Sequence, residues 1–171
     1  YMQLGLDIST TTTGYAIDNK NQIITMGFVD LKKHTDLSDK AWALLDNITS
    51  LEHIDNVKDI IVEDSLSGFS RGFTSQQTII KLAKFNAIVC FLCEHQLKLK
   101  PHLINATTAR KQLFGKARVK GKTAKDYVSE QIQSKFDITE WIVHTRTGTV
   151  DKRNVDAMDA LVVAKYSLPL I

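Results

Sequence analysis

The sequence lacks any hydrophobic run long enough to cross a membrane. A transmembrane helix needs roughly 18 or more consecutive apolar residues, and no segment of the 171-residue sequence approaches that length. The start of the sequence also lacks the basic and then apolar pattern of a secretory signal. We therefore expect a soluble intracellular protein.

Cysteine is scarce, and Cys90 and Cys93 are the two that occur. They provide no disulfide framework, which agrees with a reducing compartment. Their C-x-x-C spacing lacks the second cysteine pair or the suitably spaced histidines that a zinc site requires. Because free cysteine is among the most buried residue types, we expect both side chains in the core of a helix.

Repeats, linkers and low-complexity segments are also missing, and this absence favours one domain over residues 1–171. A chain of this length is sufficient for one hydrophobic core. The composition, with 43% hydrophobic and 24% charged residues, is that of an ordinary globular domain.

Hydrophobic periodicity predicts an α/β domain. Residues 2–8 alternate between apolar and polar or small side chains, which is typical of a strand. The predicted strands cover 2–8, 15–18, 22–29, 57–64 and 102–106, and the predicted helices begin at 38 and cover 74–97, 107–113, 123–136 and 155–166. We expect a five-stranded mixed sheet flanked by helices, with strands one to three as an antiparallel meander and strands four and five parallel.

The first predicted helix carries finer expectations about its start and its buried face. Ser38 or Asp39 is the expected N-cap. The residues expected on its buried stripe are Trp42, Leu45, Ile48 and Leu51.

Two acidic residues stand where predicted strands end. Asp7 is near the end of the first strand and Glu63 near the end of the fourth, each directly before a polar loop. Ligands of open α/β sheets bind at this edge, and an unpaired buried charge is costly. Each residue taken alone is equally well explained as a helix cap or an exposed strand end.

A further acidic pair lies in the segment NVDAMDALVVA, where Asp156 and Asp159 are three residues apart. This spacing places both carboxylates on one face of a helix, where they repel each other. The helix dipole relieves part of that repulsion in the first turn, so capping is an alternative explanation. The apolar residues that follow must pack inward, and a purely structural role does not require two acids here.

Together, Asp7, Glu63, Asp156 and Asp159 can converge on a pair of Mg²⁺ ions. Magnesium prefers hard oxygen ligands such as carboxylates, and Mn²⁺ takes the same oxygens. Two such ions about 4 Å apart can activate a water and stabilise the leaving oxygen of a phosphodiester. The five histidines show no ligand spacing.

A dense basic segment runs from Ala109 to Lys125 and contains no acidic residue. A solvated surface face and a phosphate-binding surface both explain such a run. Its basic residues are Arg110, Lys111, Lys116, Arg118, Lys120, Lys122 and Lys125.

Three segments, LGLDISTTTTGYAI, IIVEDS and NVDAMDALVVA, resemble in this order the first strand, the fourth strand and the closing helix of the RuvC-type Holliday junction resolvases. These enzymes belong to the ribonuclease H-like superfamily, and the resemblance covers nearly the whole chain. It implies a ribonuclease H-like fold in which Asp7, Glu63, Asp156 and Asp159 are catalytic metal ligands. The divergence looks more like a phage, viral or organellar branch than a typical bacterial member.

The same resemblance implies DNA contacts in two regions. INATTARKQLFGKARVKGKTAKDYV resembles the segment where the family places lysines near the scissile phosphate, and Lys125 matches best. The loop after Glu63 is longer than in the family, and its aromatic residues either stack on an opened base or pack beneath the loop. The expected DNA-binding residues are Lys111, Lys116, Arg118, Lys120, Lys122 and Lys125, with Phe69, Arg71 and Phe73 in the longer loop.

The resemblance implies a homodimeric, magnesium-dependent endonuclease that makes paired nicks in branched DNA, with helix 74–97 at the dimer interface. The expected location is the cytoplasm or nucleoid, or a host cell or organelle matrix. Two alternatives stay open: a nuclease for RNA–DNA hybrids and a module that binds branched DNA without cutting it. Sugar kinases and actin-like ATPases begin similarly, but the chain is about half the length they need and lacks a second lobe.

Overall fold

The computed structural model describes residues 1–65 and 75–169. Its five strands form one sheet in the order β3-β2-β1-β4-β5. The three N-terminal strands are antiparallel, β4 is parallel to β1, and β5 is parallel to β4. The mixed sheet predicted from periodicity is therefore confirmed. The strands are β1 (Met2–Asp7), β2 (Thr12–Asp18), β3 (Ile23–Asp30), β4 (Val57–Glu63) and β5 (His102–Ile104).

Five α-helices flank this sheet in the described part of the chain. Single turns of 3-10 helix at Ile54–Asn56 and Thr139–Trp141 complete the regular helical structure there. The helices are α1 (Leu37–Thr49), α2 (Gln76–Leu97), α3 (Ala106–Phe114), α4 (Ala124–Lys135) and α5 (Asn154–Ala164). In residues 1–65 and 75–169, no helix is both long and apolar enough to cross a bilayer.

The predicted start and buried stripe of α1 were partly wrong. Asp36 is the N-cap, and its carboxylate accepts hydrogen bonds from the backbone N–H groups of Ser38 and Asp39. Trp42 is 47% exposed, whereas Leu45 and Ile48 are buried together with Ala41 and Leu44. The predicted stripe stepped by three residues each time. Because a helix has about 3.6 residues per turn, such a row drifts around its surface.

The two faces of the sheet carry separate cores. Leu4 and Leu6 of β1 pack with α1 and α2, and Ala16 and Ile61 belong to the core formed with α4 and α5. Cys93 is fully buried in the first core and Cys90 packs against it, as predicted. Burial raises the pKa of Cys90 to about 11 and that of Cys93 to about 12. Both thiols are therefore protonated at neutral pH, as expected of structural cysteines.

Candidate active site

The structure brings three of the predicted carboxylates together. Asp7, Asp156 and Asp159 each offer one oxygen, and these oxygens all lie within 4.8 Å of one another. Asp7 ends β1, while the two other aspartates lie on the first turns of α5. A strand end and a helix start therefore converge at one edge of the sheet.

Glu63 joins this cluster from the neighbouring strand. Leu6 of β1 is in register with Val62 of β4, so Asp7 and Glu63 end adjacent parallel strands. Burial raises the pKa of Glu63, and a side-chain hydrogen bond with Asp7 opposes part of that rise.

Helix α5 approaches β1 and β2 closely because glycines line the sheet beneath it. Gly14 is in register with Asp7, and a Cβ atom at Gly14 would lie 1.9 Å from the carbonyl oxygen of Asp156. A Cβ atom at Gly5 would lie 2.4 Å from the carbonyl oxygen of Ala160. The missing side chains allow the backbone of α5 to rest on the sheet beside Asp7.

The C-terminal end of α5 is fixed by polar contacts. The Gln3 side-chain amide donates to the carbonyl of Ala164 at 2.9 Å and to that of Tyr166 at 2.7 Å. The Lys165 ammonium lies 2.8 Å from the carboxylate of Asp18, a residue that is only 1% exposed. Since both ends of a helix move together, these contacts also position the aspartates on its first turns.

The carboxylates strongly perturb one another. Burial, followed by the charges of Glu63, Asp159 and Asp156, raises the pKa of Asp7 well above its usual value. Burial and then the charge of Glu63 raise the pKa of Asp159 to about 7. Burial also raises the pKa values of Glu63 and Asp156. Such mutual repulsion between partly buried acids is relieved when a cation binds between them.

The donor chemistry of this cluster fits a divalent metal ion. Every ligand is a carboxylate oxygen, which is the kind of ligand that hard cations prefer. The negative charge of clustered carboxylates also offsets the free-energy cost of removing water from the ion. The acidic cluster can therefore hold a metal ion through Asp7, Asp156 and Asp159, with Glu63 beside them.

Two basic residues border the acids. The Lys125 ammonium, on the first turn of α4, lies 3.6 Å from a carboxylate oxygen of Asp156 and is 69% exposed. Its charge opposes the rise in the pKa values of all four acids. The charge of Arg110, on α3, likewise opposes the rise in the pKa values of Glu63 and Asp159.

Arg110 belongs to the basic segment but was not among the residues expected to bind DNA. Arg110 directly follows Ala109, and it is the structure that shows Ala109 to be the buried residue of α3. Arg110 is half-buried, whereas Lys111 is exposed. A basic residue beside the buried face of a short helix therefore pointed to the sheet edge rather than to open solvent.

The other predicted DNA-binding residues in this region are exposed. Lys122 forms an ion pair with Glu130. The loop is held by the Tyr127 hydroxyl, which donates to the carbonyl of Lys116 at 3.0 Å. The exposed residues are Lys111, Lys116, Arg118, Lys120 and Lys122, and their DNA-binding role stays a prediction. Phe69, Arg71 and Phe73 lie outside the described residues.

Known structures share this fold. Thermus thermophilus RuvC superimposes with a TM-score of 0.61 at 13% identity, over 95% of this chain and 92% of that one. Fowlpox virus resolvase, solved with Holliday junction DNA, gives 0.53 at 16% identity over 96% and 94%. The yeast mitochondrial Holliday junction resolvase Ydc2 gives 0.54 at 14% identity over 95% and 77%. No family model and no curated protein matches the sequence.

These comparisons define the class of fold. The sheet order and the mixed strand directions are those of a ribonuclease H-like fold. Within that class, the fold is that of the RuvC-type, viral and mitochondrial Holliday junction resolvases. The fold that the sequence resemblance implied is confirmed.

Proposed function

We propose that this protein is a metal-dependent endonuclease that resolves Holliday junctions and related branched DNA. The observation that carries the proposal is the meeting of Asp7, Asp156 and Asp159, with Glu63 beside them, at one sheet edge. The chain adopts the resolvase fold, and the compared T. thermophilus RuvC and fowlpox virus resolvase structures include Holliday junction complexes. Residues 1–171 would form a single nuclease domain. The protein would work in the same compartment as its DNA substrate.

Asp7, Glu63, Asp156 and Asp159 would hold two Mg²⁺ ions, with Mn²⁺ able to replace them. Bound ions of this kind lower the pKa of water and stabilise charge that develops on a phosphodiester. The protein's part is to hold four carboxylates at fixed positions, and cation binding would drive their deprotonation, with the protons released to water. The raised pKa values of Asp7 and Asp159 make that deprotonation dependent on the cation.

Lys125 and Arg110 would act on the phosphate beside the acids. Lys125 is exposed while it contacts Asp156, so its ammonium can bind a phosphate oxygen without leaving the site. Arg110 offers a planar guanidinium, which binds phosphate through two parallel hydrogen bonds. Both residues would orient the scissile phosphate and stabilise its charge. The exposed loop between α3 and α4 would bind the neighbouring backbone phosphates.

A homodimer would suit a four-way junction. Its two active sites would be related by a two-fold axis, and the junction has the same approximate symmetry. Helix α2 carries an exposed stripe that we call the α2 stripe: Ile80, Lys84, Ala87 and Phe91, at spacings of four, three and four. Ile80 is 50% exposed and Phe91 is 66% exposed. Packing of this stripe against a second copy would bury both apolar side chains.

Parallel cleavage assays test this function. The substrates are a synthetic four-way junction, a fork, a linear duplex and an RNA–DNA hybrid, each with Mg²⁺, with Mn²⁺ and with chelator. We expect paired symmetric nicks in the junction, no cleavage of the duplex, and no activity with chelator. Cleavage confined to the hybrid would replace this proposal with a ribonuclease, and binding without cleavage would replace it with a junction-binding module.

Asp7→Asn provides the matched variant. It keeps the size of the side chain but removes a charged ligand from the acidic cluster. We expect cleavage to be abolished and junction binding to be retained, as measured by gel shift. If the variant still cut at the wild-type rate, the four-carboxylate site would not be the catalytic centre.

A further inference from the structure

The segment before α5, where hydrophobic periodicity predicts neither a strand nor a helix, contains a small ordered hairpin at residues 143–150. His144 and Val150 form an antiparallel bridge. The backbone N–H of Thr145 donates to the carbonyl of Thr149 at 2.8 Å, and that of Gly148 donates to Thr145 at 2.9 Å. Gly148 has a φ of 87°, which favours glycine at the turn. All eight residues of the 143–150 hairpin are exposed.

The hairpin is fixed to the helix that carries two of the acids. Asn154, the first residue of α5, is 3% exposed. Its side chain accepts a hydrogen bond from the N–H of Val143 at 2.9 Å and donates to the carbonyl of Val143 at 2.8 Å. Since Asp156 follows two residues later, the hairpin and the acidic cluster share one rigid base.

Strand directions place the hairpin at the same sheet edge as the acids. β3 is antiparallel to β2, which is antiparallel to β1, so Asp30 and Asp7 end their strands at one edge. Arg153 joins that edge to the base of the hairpin. Its guanidinium lies 3.0 Å from the carboxylate of Asp30 and 2.7 Å from that of Asp151. The hairpin therefore flanks the site from the β3 side, while α3 and α4 flank it with Arg110 and Lys125.

The side chains of the hairpin are of the kinds that bind a polyanion. Residues 141–150 contain no acidic residue. Arg146 stands near the tip, and Thr145, Thr147 and Thr149 present hydroxyls that contact one another at 2.7–3.1 Å. Arginine and threonine side chains and backbone N–H groups are among the groups that hydrogen-bond to DNA phosphates. The nearest carboxylate, Asp151, is engaged by Arg153 and does not oppose a phosphate.

We propose that the 143–150 hairpin is a second nucleic-acid contact, with Arg146 binding the phosphodiester backbone of DNA on the β3 side of the active site. This inference rests on the proposed function. DNA would then be held on two flanks of the acids, by the basic loop between α3 and α4 on one side and by the hairpin on the other.

Arg146→Ala in the Asp7→Asn background tests the inference without cleavage. No residue in the described ranges forms an ion pair with Arg146, so the substitution removes a charge without breaking a structural contact. We expect junction affinity to fall about 3- to 10-fold. We also expect the slope of log affinity against log salt to fall by about 1, as for the loss of one phosphate contact. Arg146→Lys should retain most of the binding.

Lys58→Ala is the matched control. Lys58 is exposed near the start of β4, at the opposite edge of the sheet, and its loss should leave affinity and salt slope unchanged. If Arg146→Ala behaves like this control while the parent still binds junctions, the hairpin inference is overturned and the proposed function stands. If the parent binds no branched DNA, the proposed function itself fails.

Discussion

Gly14 lies directly against the backbone of Asp156, and no side chain can be added between them. A Cβ atom at position 14 would meet the carbonyl oxygen of Asp156 at 1.9 Å and the backbone nitrogen of Ala157 at 2.9 Å. Both contacts are with the backbone of α5, which is fixed at both ends. The position of Asp156 relative to Asp7 therefore depends on a residue that contributes no atoms to the chemistry.

Replacing Gly14 with alanine should displace the start of α5. Overpacking of this kind costs about 1–3 kcal/mol of stability, and a shift of about 1 Å at a catalytic group can reduce the rate about 100-fold. We expect Gly14→Ala to lower both the urea midpoint and the cleavage rate. Gly27→Ala is the control, because its Cβ would meet the end of the Tyr15 side chain, which can move. Equal losses in the two variants would contradict a specific role for Gly14.

The acidic cluster should make the metal-free protein less stable as the pH rises. Burial and Glu63 raise the pKa of Asp159 to about 7, whereas an aspartate in the unfolded chain has a pKa of about 3.9. A group with a raised folded-state pKa contributes stability that is fully present below the unfolded value and is lost as the pH rises through the folded value. The loss therefore falls between about pH 4 and pH 7.

Asp159→Asn should remove much of this pH dependence. In chelator, we expect the wild-type urea midpoint to be lower at pH 8 than at pH 5, and the variant to exceed the wild type at pH 8. Asp46→Asn, an exposed position on α1, should follow the wild type. An unchanged difference between pH 5 and pH 8 in Asp159→Asn would show that this carboxyl does not hold a proton in the folded protein.

Lys125 should set the pH at which the site becomes active. Its charge opposes the rise in the pKa of Asp156, so Lys125→Ala should move the acidic limb of the cleavage profile to higher pH. The rate should also fall about 10- to 100-fold if the ammonium contacts the phosphate. Lys135→Ala is the control, because Lys135 is exposed on the last turn of the same helix, α4. A lower rate without a shifted pH profile would indicate DNA binding alone.

The α2 stripe should control the oligomeric state. Phe91→Glu places a charge at the most exposed apolar position of α2, and we expect it to convert a dimer into a monomer in sedimentation experiments. Paired nicking should then become single nicking at reduced rate. Leu103→Glu is the control, since Leu103 is 54% exposed on β5. A monomeric wild type, or a dimeric Phe91→Glu, would place the interface elsewhere or remove it.

Much of the fold was predictable because its signals are local. Alternation over residues 2–8, the apolar end of β4 and the acids at 156 and 159 are patterns of neighbouring residues. Asp7 and Glu63 come together because the parallel strands β1 and β4 end at one edge of the sheet.

The features that the sequence did not predict depend on tertiary packing. The exposure of Trp42 depends on which side of α1 meets α2, and the role of Gly14 depends on a helix about 140 residues later. The 143–150 hairpin is held by a buried asparagine rather than by hydrophobic alternation. Such relations between distant residues leave little trace in any one segment of the sequence.

The four carboxylates lie on β1, β4 and α5. Most of the exposed basic residues that we propose to bind DNA lie in the loop between α3 and α4 or in the 143–150 hairpin. Elements that share a packed core tolerate few changes, while surface loops tolerate substitutions and insertions. Under the proposed function, changes in the loops would alter the DNA preference and leave the acidic cluster intact. This separation keeps the residues that would select the substrate apart from those that would cut it.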